Sequence, residues 1–196
     1  WKRRSTRLSP DGRWLVSLGS PAGCRSDESD PCLASVESRG GSGSQQISGP
    51  TAGVAFDGGK VAVSYYELGA TSGGIWIHDL ARRFSTRLTS GDAGDDTLPV
   101  WSPDGRELAF GRVGPAGTSG IYRMDAGRPG SEIRWFGDDG FLAPSAWLAD
   151  GSGLLVQRFD ASGKGSIWMQ SLASEAPATR LGSEQASEWG AVPSHD

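Results

Sequence analysis

The sequence predicts an all-β chain of repeated four-stranded antiparallel sheets, and three observations support that fold class. The pair Asp104-Gly105 recurs as Asp150-Gly151, 46 residues later. Ile75-Trp76, Ile121-Tyr122 and Ile167-Trp168 recur with the same 46-residue spacing, so two landmarks share one period. The 30 glycines and 11 prolines are dispersed along the 196 residues, and no window carries the 3.6-residue apolar period of a long helix.

Each repeat has the same internal order, which is clearest in the third unit. A strand over 98–101 ends in the turn Ser-Pro-Asp-Gly, and an apolar strand over 108–110 follows it. A glycine-rich loop over 111–120 leads to a third strand over 121–123, and a weaker fourth strand covers 133–135. Short runs of β-branched and aromatic residues bounded by Gly, Pro and Asp are typical of strands. In the units on either side, the fourth strands are predicted at 87–89 and 179–181.

Four strands in a unit of about 40 to 50 residues are the signature of β-propeller blades. We therefore interpret residues 1–196 as a single propeller segment. Its predicted blade units cover approximately 4–48, 49–94, 95–140 and 141–186, with the start of a fifth at 187–196.

The third unit also carries a family resemblance. Asp96-Thr-Leu-Pro-Val-Trp-Ser-Pro-Asp-Gly-Arg-Glu-Leu-Ala-Phe110, followed by Ile121-Tyr-Arg-Met-Asp-Ala126, resembles the WD-like propeller repeat of TolB-type proteins. The resemblance is strong over 95–126, moderate over 142–172 and looser over 8–40 and 52–90. It implies blades of a six- or seven-bladed ring. Such rings are found in periplasmic scaffolds, in front of prolyl-oligopeptidase-like hydrolases, and attached to bacterial kinases or transcription regulators.

Four repeats are fewer than such a ring needs, so we expect an incomplete segment of a six- or seven-bladed propeller. The alternative is a small four-bladed ring closed by pairing of the terminal strands. An open segment would expose blade faces and unpaired strand edges, so self-association through those edges is a further expectation.

The Ser-Pro-Asp-Gly turns are the first candidates for chemistry, because they place a hydroxyl beside a carboxylate. Successive copies belong to different blades and cannot converge on one ion or substrate, so we interpret Ser102 and Asp104 as turn-forming residues. No window fits the nucleophile elbow Gly-x-Ser-x-Gly, and His78 and His195 are interpreted as ordinary blade residues. The sequence therefore predicts no catalytic residue, no cofactor site and no metal site.

Aromatic residues and cysteines have structural interpretations. Trp101 and Trp147 occupy the same slot before the turn and are predicted to pack between blades, whereas Trp135 falls outside the periodic slots and is predicted to be exposed. Cys24 and Cys32 lie eight residues apart in a polar loop. They form either a local disulfide, which would suggest an oxidising compartment, or two free thiols, and both alternatives stay open.

One end of the predicted propeller is acidic. In a four-stranded meander, the loops between strands two and three and the loops between blades emerge at the same end. These loops hold twelve of the 23 acidic residues, against Arg25 and Lys164 as clear bases. A merely solvated face is the alternative to a site that binds a protein partner or a small ligand. The candidate site residues are Asp95, Asp96, Asp138, Asp139 and Glu188.

The expected function is that of a non-catalytic, TolB-like propeller module for protein–protein or ligand binding in a bacterial envelope or sensor protein. The alternatives are the gating propeller of a prolyl-oligopeptidase-like serine hydrolase and a sensor domain attached to a serine/threonine kinase or transcription regulator. A net charge of −4 gives no basic footprint for nucleic acid, and apolar runs of about six residues do not insert into a membrane. The resemblance implies a periplasmic or other extracytoplasmic location, and a cytoplasmic one stays open.

Overall fold

Sixteen strands form four sheets in the computed structural model of the chain. The structure describes the strand segments 5–8, 14–19, 33–38, 44–47 and 51–57, and residues 59–66, 72–137, 141–172, 177–183, 187–188, 191 and 193. Each sheet is a meander of four consecutive antiparallel strands, which we call blades 1 to 4. Among the described residues, no helix has the length and apolar character needed to span a bilayer.

The strands of blades 1 and 2 follow one another along the chain. Blade 1 consists of β1 (Ser5–Leu8), β2 (Trp14–Gly19), β3 (Leu33–Ser38) and β4 (Ser44–Ile47). Blade 2 consists of β5 (Thr51–Asp57), β6 (Lys60–Tyr66), β7 (Gly73–Asp79) and β8 (Phe84–Arg87).

Blades 3 and 4 repeat the same arrangement. Blade 3 consists of β9 (Asp95–Trp101), β10 (Glu107–Val113), β11 (Gly120–Asp125) and β12 (Ile133–Phe136). Blade 4 consists of β13 (Phe141–Trp147), β14 (Gly153–Phe159), β15 (Gly165–Ser171) and β16 (Thr179–Leu181). The first strands of consecutive blades lie side by side, as β9 does with β5 and β13, so the blades are arranged as in a propeller. The chain is an all-β, incomplete β-propeller.

The described hydrophobic core lies between blades 2, 3 and 4, because middle strands such as β10 are buried on both faces. Leu108 and Phe110 of β10 pack towards blade 2, where they join Ile75 and Ile77 in one cluster. Ala109, which points the opposite way, packs with Leu142, Leu154 and Val156 of blade 4. The period of two residues in a strand thus assigns alternate side chains to two different interfaces. This explains why the middle strands are continuously apolar in sequence.

Tryptophan side chains connect successive blades, as their repeated slot predicts. Trp101 Nε1 donates to the carbonyl oxygen of Ala55 in blade 2 at 3.2 Å. Trp147 Nε1 donates to the carbonyl oxygen of Val100 in blade 3 at 3.3 Å. Both rings are buried in the interface that they span. These two bonds join blade 3 to blade 2 and blade 4 to blade 3.

Two local predictions from the sequence are wrong. The fourth strand of blade 2 is β8 at Phe84–Arg87, not 87–89, because Leu88 and Thr89 turn inward and bind the backbone of Ile75. Trp135 is half-buried, since its ring stacks on Trp147 with 5.7 Å between centroids and packs against the cluster between blades 3 and 4.

Candidate functional site

The Ser-Pro-Asp-Gly turn is a closed hydrogen-bonded unit. Ser102 Oγ donates to Asp104 Oδ1 at 2.7 Å and accepts from the backbone N–H of Glu107 at 2.9 Å. Asp104 Oδ1 also accepts from the backbone N–H of Arg106, and Gly105 takes a φ of 68° that favours glycine. The Ser102 hydroxyl and the Arg106 N–H hold the pKa of Asp104 below its ordinary value. The hydroxyl and the carboxylate thus serve the turn.

The corresponding turn in blade 4 is built in the same way with one change of donor. Asp150 Oδ1 accepts from both the N–H and the hydroxyl of Ser152, at 2.9 and 2.7 Å. These two bonds lower the pKa of Asp150, as in the blade 3 turn. Both turns lie at the same end of the blades, which we call the turn end. The opposite end, with the loops between strands two and three and between blades, is the loop end.

Asp96 was predicted to lie on the surface of the loop end, and that placement is wrong. Asp96 is buried, with 0% of its surface exposed. Its carboxylate accepts two hydrogen bonds from the guanidinium of Arg112, at 2.5 and 2.9 Å. Glu132 Oε1 lies 3.6 Å from the same guanidinium, which also lies over the Tyr122 ring. Burial raises the pKa of Asp96, and hydrogen bonds from Arg112 and Thr89 offset this only in part. Asp96 is therefore an interior residue of the interface between blades 2 and 3.

Asp95 is at the loop end but already has a structural contact. Its Oδ1 accepts from the backbone N–H of Gly73, at the start of β7 in blade 2, at 2.9 Å. Ser187 Oγ accepts in the same way from the N–H of Gly165, at the start of β15. Because Ser187 lies twice 46 residues after Asp95, the bond between the start of one repeat and the third strand of the preceding blade recurs. Asp95 thus links two blades and is only partly open to a partner.

Glu188 also contacts blade 4 rather than standing free. Its backbone N–H donates to the carbonyl of Gly165, its carbonyl accepts from Gln157 Nε2, and its Oε1 accepts from the N–H of Ser183. Asp138 and Asp139 lie outside the described residues, as do Cys24, Cys32 and His195. The three described candidates are not brought together as a ligand set, and the described residues contain no group of three that could hold a metal ion.

The described part of the loop end is mixed in charge. Besides Lys164, this end contains arginines that the sequence interpretation did not count among its loops. Arg87 donates to the carbonyls of Thr89 and Ser90, and Arg134 donates to the carbonyl of Ser119. Arg158, near the end of β14, is exposed there as well. The excess of acidic residues inferred from loop sequences is therefore offset, because arginines on neighbouring strands extend into the loops.

Two apolar side chains are exposed at the loop end, and the sequence interpretation missed them. Val113, the last residue of β10, is 41% exposed, and Phe141, the first residue of β13, is 40% exposed. Phe141 pairs with Phe159 across the hairpin, with ring centroids 5.3 Å apart. The repeat could have predicted their exposure. Both residues lie at the ends of strands, outside the apolar positions that the blades have in common. The exposed carboxylates Asp92 and Asp160 belong to the same end.

His78 is enclosed within blade 2. It lies on β7, and its Nδ1 is 2.7 Å from Ser85 Oγ on the neighbouring strand. Burial lowers its pKa. These surroundings are those of a blade residue with a cross-strand partner, as the repeat predicts.

Comparison with known proteins supports the fold. No family model and no curated protein sequence matches the chain. TolB from Acinetobacter baumannii matches with a TM-score of 0.69 and 21% identity over 92% of this chain and 43% of that one. The chain has the TolB-type β-propeller fold. A putative TolB from Agrobacterium tumefaciens gives 0.68 and 18% over 88% of this chain and 62% of that one.

A third match comes from a propeller with a different context. The β-propeller domain of the Trilobed protease from Pyrococcus furiosus, which has an open velcro topology, gives a TM-score of 0.58 and 12% identity. That match covers 93% of this chain and 57% of the other. The chain thus spans 43% to 62% of the length of these three structures.

Proposed function

We propose that the chain is a non-catalytic propeller module that binds a protein partner at its loop end. The observation that carries this proposal is the pair of exposed apolar residues, Val113 and Phe141, among the exposed charged residues of that end. Protein interfaces combine an apolar centre with a polar, charged rim, and arginine and aromatic residues are enriched in them. The mixed charge of this end favours a protein over a metal ion or a simple polycation.

The turn end supports the non-catalytic part of the proposal. The hydroxyl and carboxylate of each turn are occupied by bonds within the turn, so they are not poised to attack a substrate. An extracytoplasmic location belongs to the same proposal, because it rests on the resemblance to TolB-type repeats. The acidic candidates Asp95 and Glu188 contribute to the rim of the surface, since each is partly exposed.

Site-specific crosslinking tests the proposed surface. A photoreactive phenylalanine analogue is placed at position 113 or 141, and at position 106 on the turn end as a matched control, in the protein expressed in its source cell. We expect one discrete crosslinked protein from 113 and 141 and none from 106. The same product should disappear when Val113→Asp is combined with the probe at 141. Equal labelling from all three positions, or a product that survives Val113→Asp, would exclude this surface.

A second candidate function is the gating propeller of a larger hydrolase. It is favoured by the match to the propeller domain of a protease. Residues 1–196 should not react with a fluorophosphonate probe, whereas the full-length protein should react if it carries a serine hydrolase domain. Absence of labelling in an intact full-length protein contradicts this candidate and leaves the binding module.

A further inference from the structure

At the turn end, one hairpin carries exposed side chains that the repeat does not require. The hairpin between β7 and β8 runs through Leu80-Ala81-Arg82-Arg83-Phe84, which we call the Arg-Arg-Phe tip. Phe84 is 63% exposed, the largest value among the exposed large apolar residues of the described chain. Arg82 and Arg83 beside it are exposed as well. An exposed phenylalanine next to two exposed arginines contributes little to the stability of the blade.

The backbone of the tip is unusual. Arg83 has a φ of 52°, in the left-handed region that favours glycine. The corresponding hairpin of blade 3, between β11 and β12, has Gly130 in that region with a φ of 75°, preceded by Arg128 and Pro129. Blade 3 therefore forms this connection with glycine and without an aromatic residue. The shorter hairpin of blade 2 has an arginine in the left-handed region instead, at a cost in backbone energy.

The tip is held in place by the blade beneath it. Asp79 Oδ1 accepts from the backbone N–H of Arg82 at 2.9 Å, and its Oδ2 lies 3.6 Å from the Arg82 guanidinium. Leu80 is buried, and its N–H donates to the carbonyl of Gly59 at 2.9 Å. The base of the hairpin is thus fixed while three side chains project from it. Little conformational entropy is lost in the backbone when such a tip meets a surface.

We propose that the Arg-Arg-Phe tip is a peripheral anchor for an anionic lipid surface. The ring of Phe84 would enter the boundary between headgroups and acyl chains, while Arg82 and Arg83 bind headgroup phosphates. Lys60, which pairs with Asp79 at the base of the hairpin, is exposed and adds positive charge beside the tip. Each basic residue near an anionic bilayer contributes about 1 kcal/mol, so the binding is weak and reversible.

The shape of this end favours a bilayer over an acidic protein. The apolar core of a protein interface is usually formed by several residues surrounded by a polar rim. On the tip, the only exposed large apolar side chain is the ring of Phe84, and two arginines precede it in sequence. Ile133, another exposed apolar residue on an outer strand at 53%, follows Glu132 rather than arginines. It therefore provides a matched control for exposure, since its flanking charged residues, Glu132 and Arg134, contact Arg112 and the carbonyl of Ser119.

Vesicle flotation tests the anchor with the 196-residue chain. We expect binding to phosphatidylcholine vesicles that contain about 30% phosphatidylglycerol, and much less to pure phosphatidylcholine or at high salt. Arg83→Gly should lower the partition coefficient about fivefold, the factor that corresponds to one basic residue at the surface. This variant also relieves the backbone at position 83, so a loss of binding does not reflect unfolding. Phe84→Ser should reduce binding by a similar factor, and Ile133→Ser should leave it unchanged.

Four outcomes overturn the proposal. The first is absence of binding to the anionic vesicles. The second is equal binding to both vesicle types, and the third is undiminished binding of Arg83→Gly and Phe84→Ser. Competition by millimolar inorganic phosphate that abolishes binding at constant ionic strength would show a free-phosphate site rather than a lipid anchor, and would also overturn it. None of these outcomes bears on the loop-end surface, which lies at the other end of the blades.

Discussion

Blades 3 and 4 have the same four-strand arrangement but differ in the burial and charge of one pair of equivalent positions. In blade 3, Arg112 is 6% exposed and binds the buried carboxylate of Asp96. In blade 4, 46 residues later, Arg158 is exposed and the position of Asp96 is taken by Leu142, which is buried. Both arginines still lie over an aromatic ring, Tyr122 or Trp168. The propeller architecture thus accepts either a carboxylate or an apolar side chain at this level, and the arginine is buried only in the blade where a carboxylate binds it.

The largest expected effect comes from breaking that agreement in blade 3. Asp96→Leu alone leaves the Arg112 guanidinium buried without its main counter-charge, which should cost about 3–5 kcal/mol of unfolding free energy. Asp96→Leu combined with Arg112→Met removes both charges, so that no buried charge is left without a partner, and should recover most of that loss. Urea unfolding monitored by tryptophan fluorescence measures both. Arg158→Met is the matched control and should change stability by less than about 0.5 kcal/mol. A double variant no more stable than the single one would contradict the comparison.

A smaller difference is expected between the glycines of the two turns. Gly105 and Gly151 have similar φ values of 68° and 73°. A Cβ at Gly105 would lie 2.5 Å from the Asp57 carboxylate of blade 2, whereas a Cβ at Gly151 meets nothing within 4 Å. Gly151→Ala should therefore cost about 1 kcal/mol, the strain of the left-handed region alone. Gly105→Ala should cost more, because Asp57 must also move. Equal urea midpoints for the two variants would show that the turns of blades 2 and 3 are not in tight contact.

The smallest expected effect is on the pH dependence of stability, for which the turns of blades 3 and 4 should behave alike. Hydrogen bonds hold the pKa of Asp104 and of Asp150 below the ordinary carboxyl value in the folded chain. The stabilisation from each group is present above that ordinary value and is lost as the pH falls through the lowered pKa. Asp104→Asn and Asp150→Asn should each flatten the decline of stability below about pH 4. Thermal midpoints measured between pH 7 and pH 2 test this. An acid-side slope that is the same in wild type and both variants would be inconsistent with it.

The spacing of landmarks was sufficient to predict the blades, but the placement of single charges was not. Asp104 and Ile121 mark a turn and a strand because backbone geometry restricts which residues fit there, so the strands of blades 3 and 4 follow from the repeat. Asp96 is buried because its side chain faces the interior from β9 and pairs there with Arg112, which lies 16 residues away in sequence. The apolar Leu142 at the equivalent position was the available signal that this slot faces inward. The prediction of an acidic loop end was inaccurate for a similar reason. Arg87 and Arg134 belong to strands, but their side chains bind carbonyl groups of the loops at that end.

The tryptophan bonds between blades have a consequence for how such chains change in length. Trp101 donates backwards to Ala55, and Trp147 donates backwards to Val100, so blade 3 both gives a donor to the blade before it and provides an acceptor to the blade after it. Removing or duplicating blade 3 or blade 4 as one 46-residue unit would preserve the direction of this bond, because each of these units carries its donor towards the blade before it. Copy number can then change by whole units with this contact retained, because it is specified by neighbouring repeats alone.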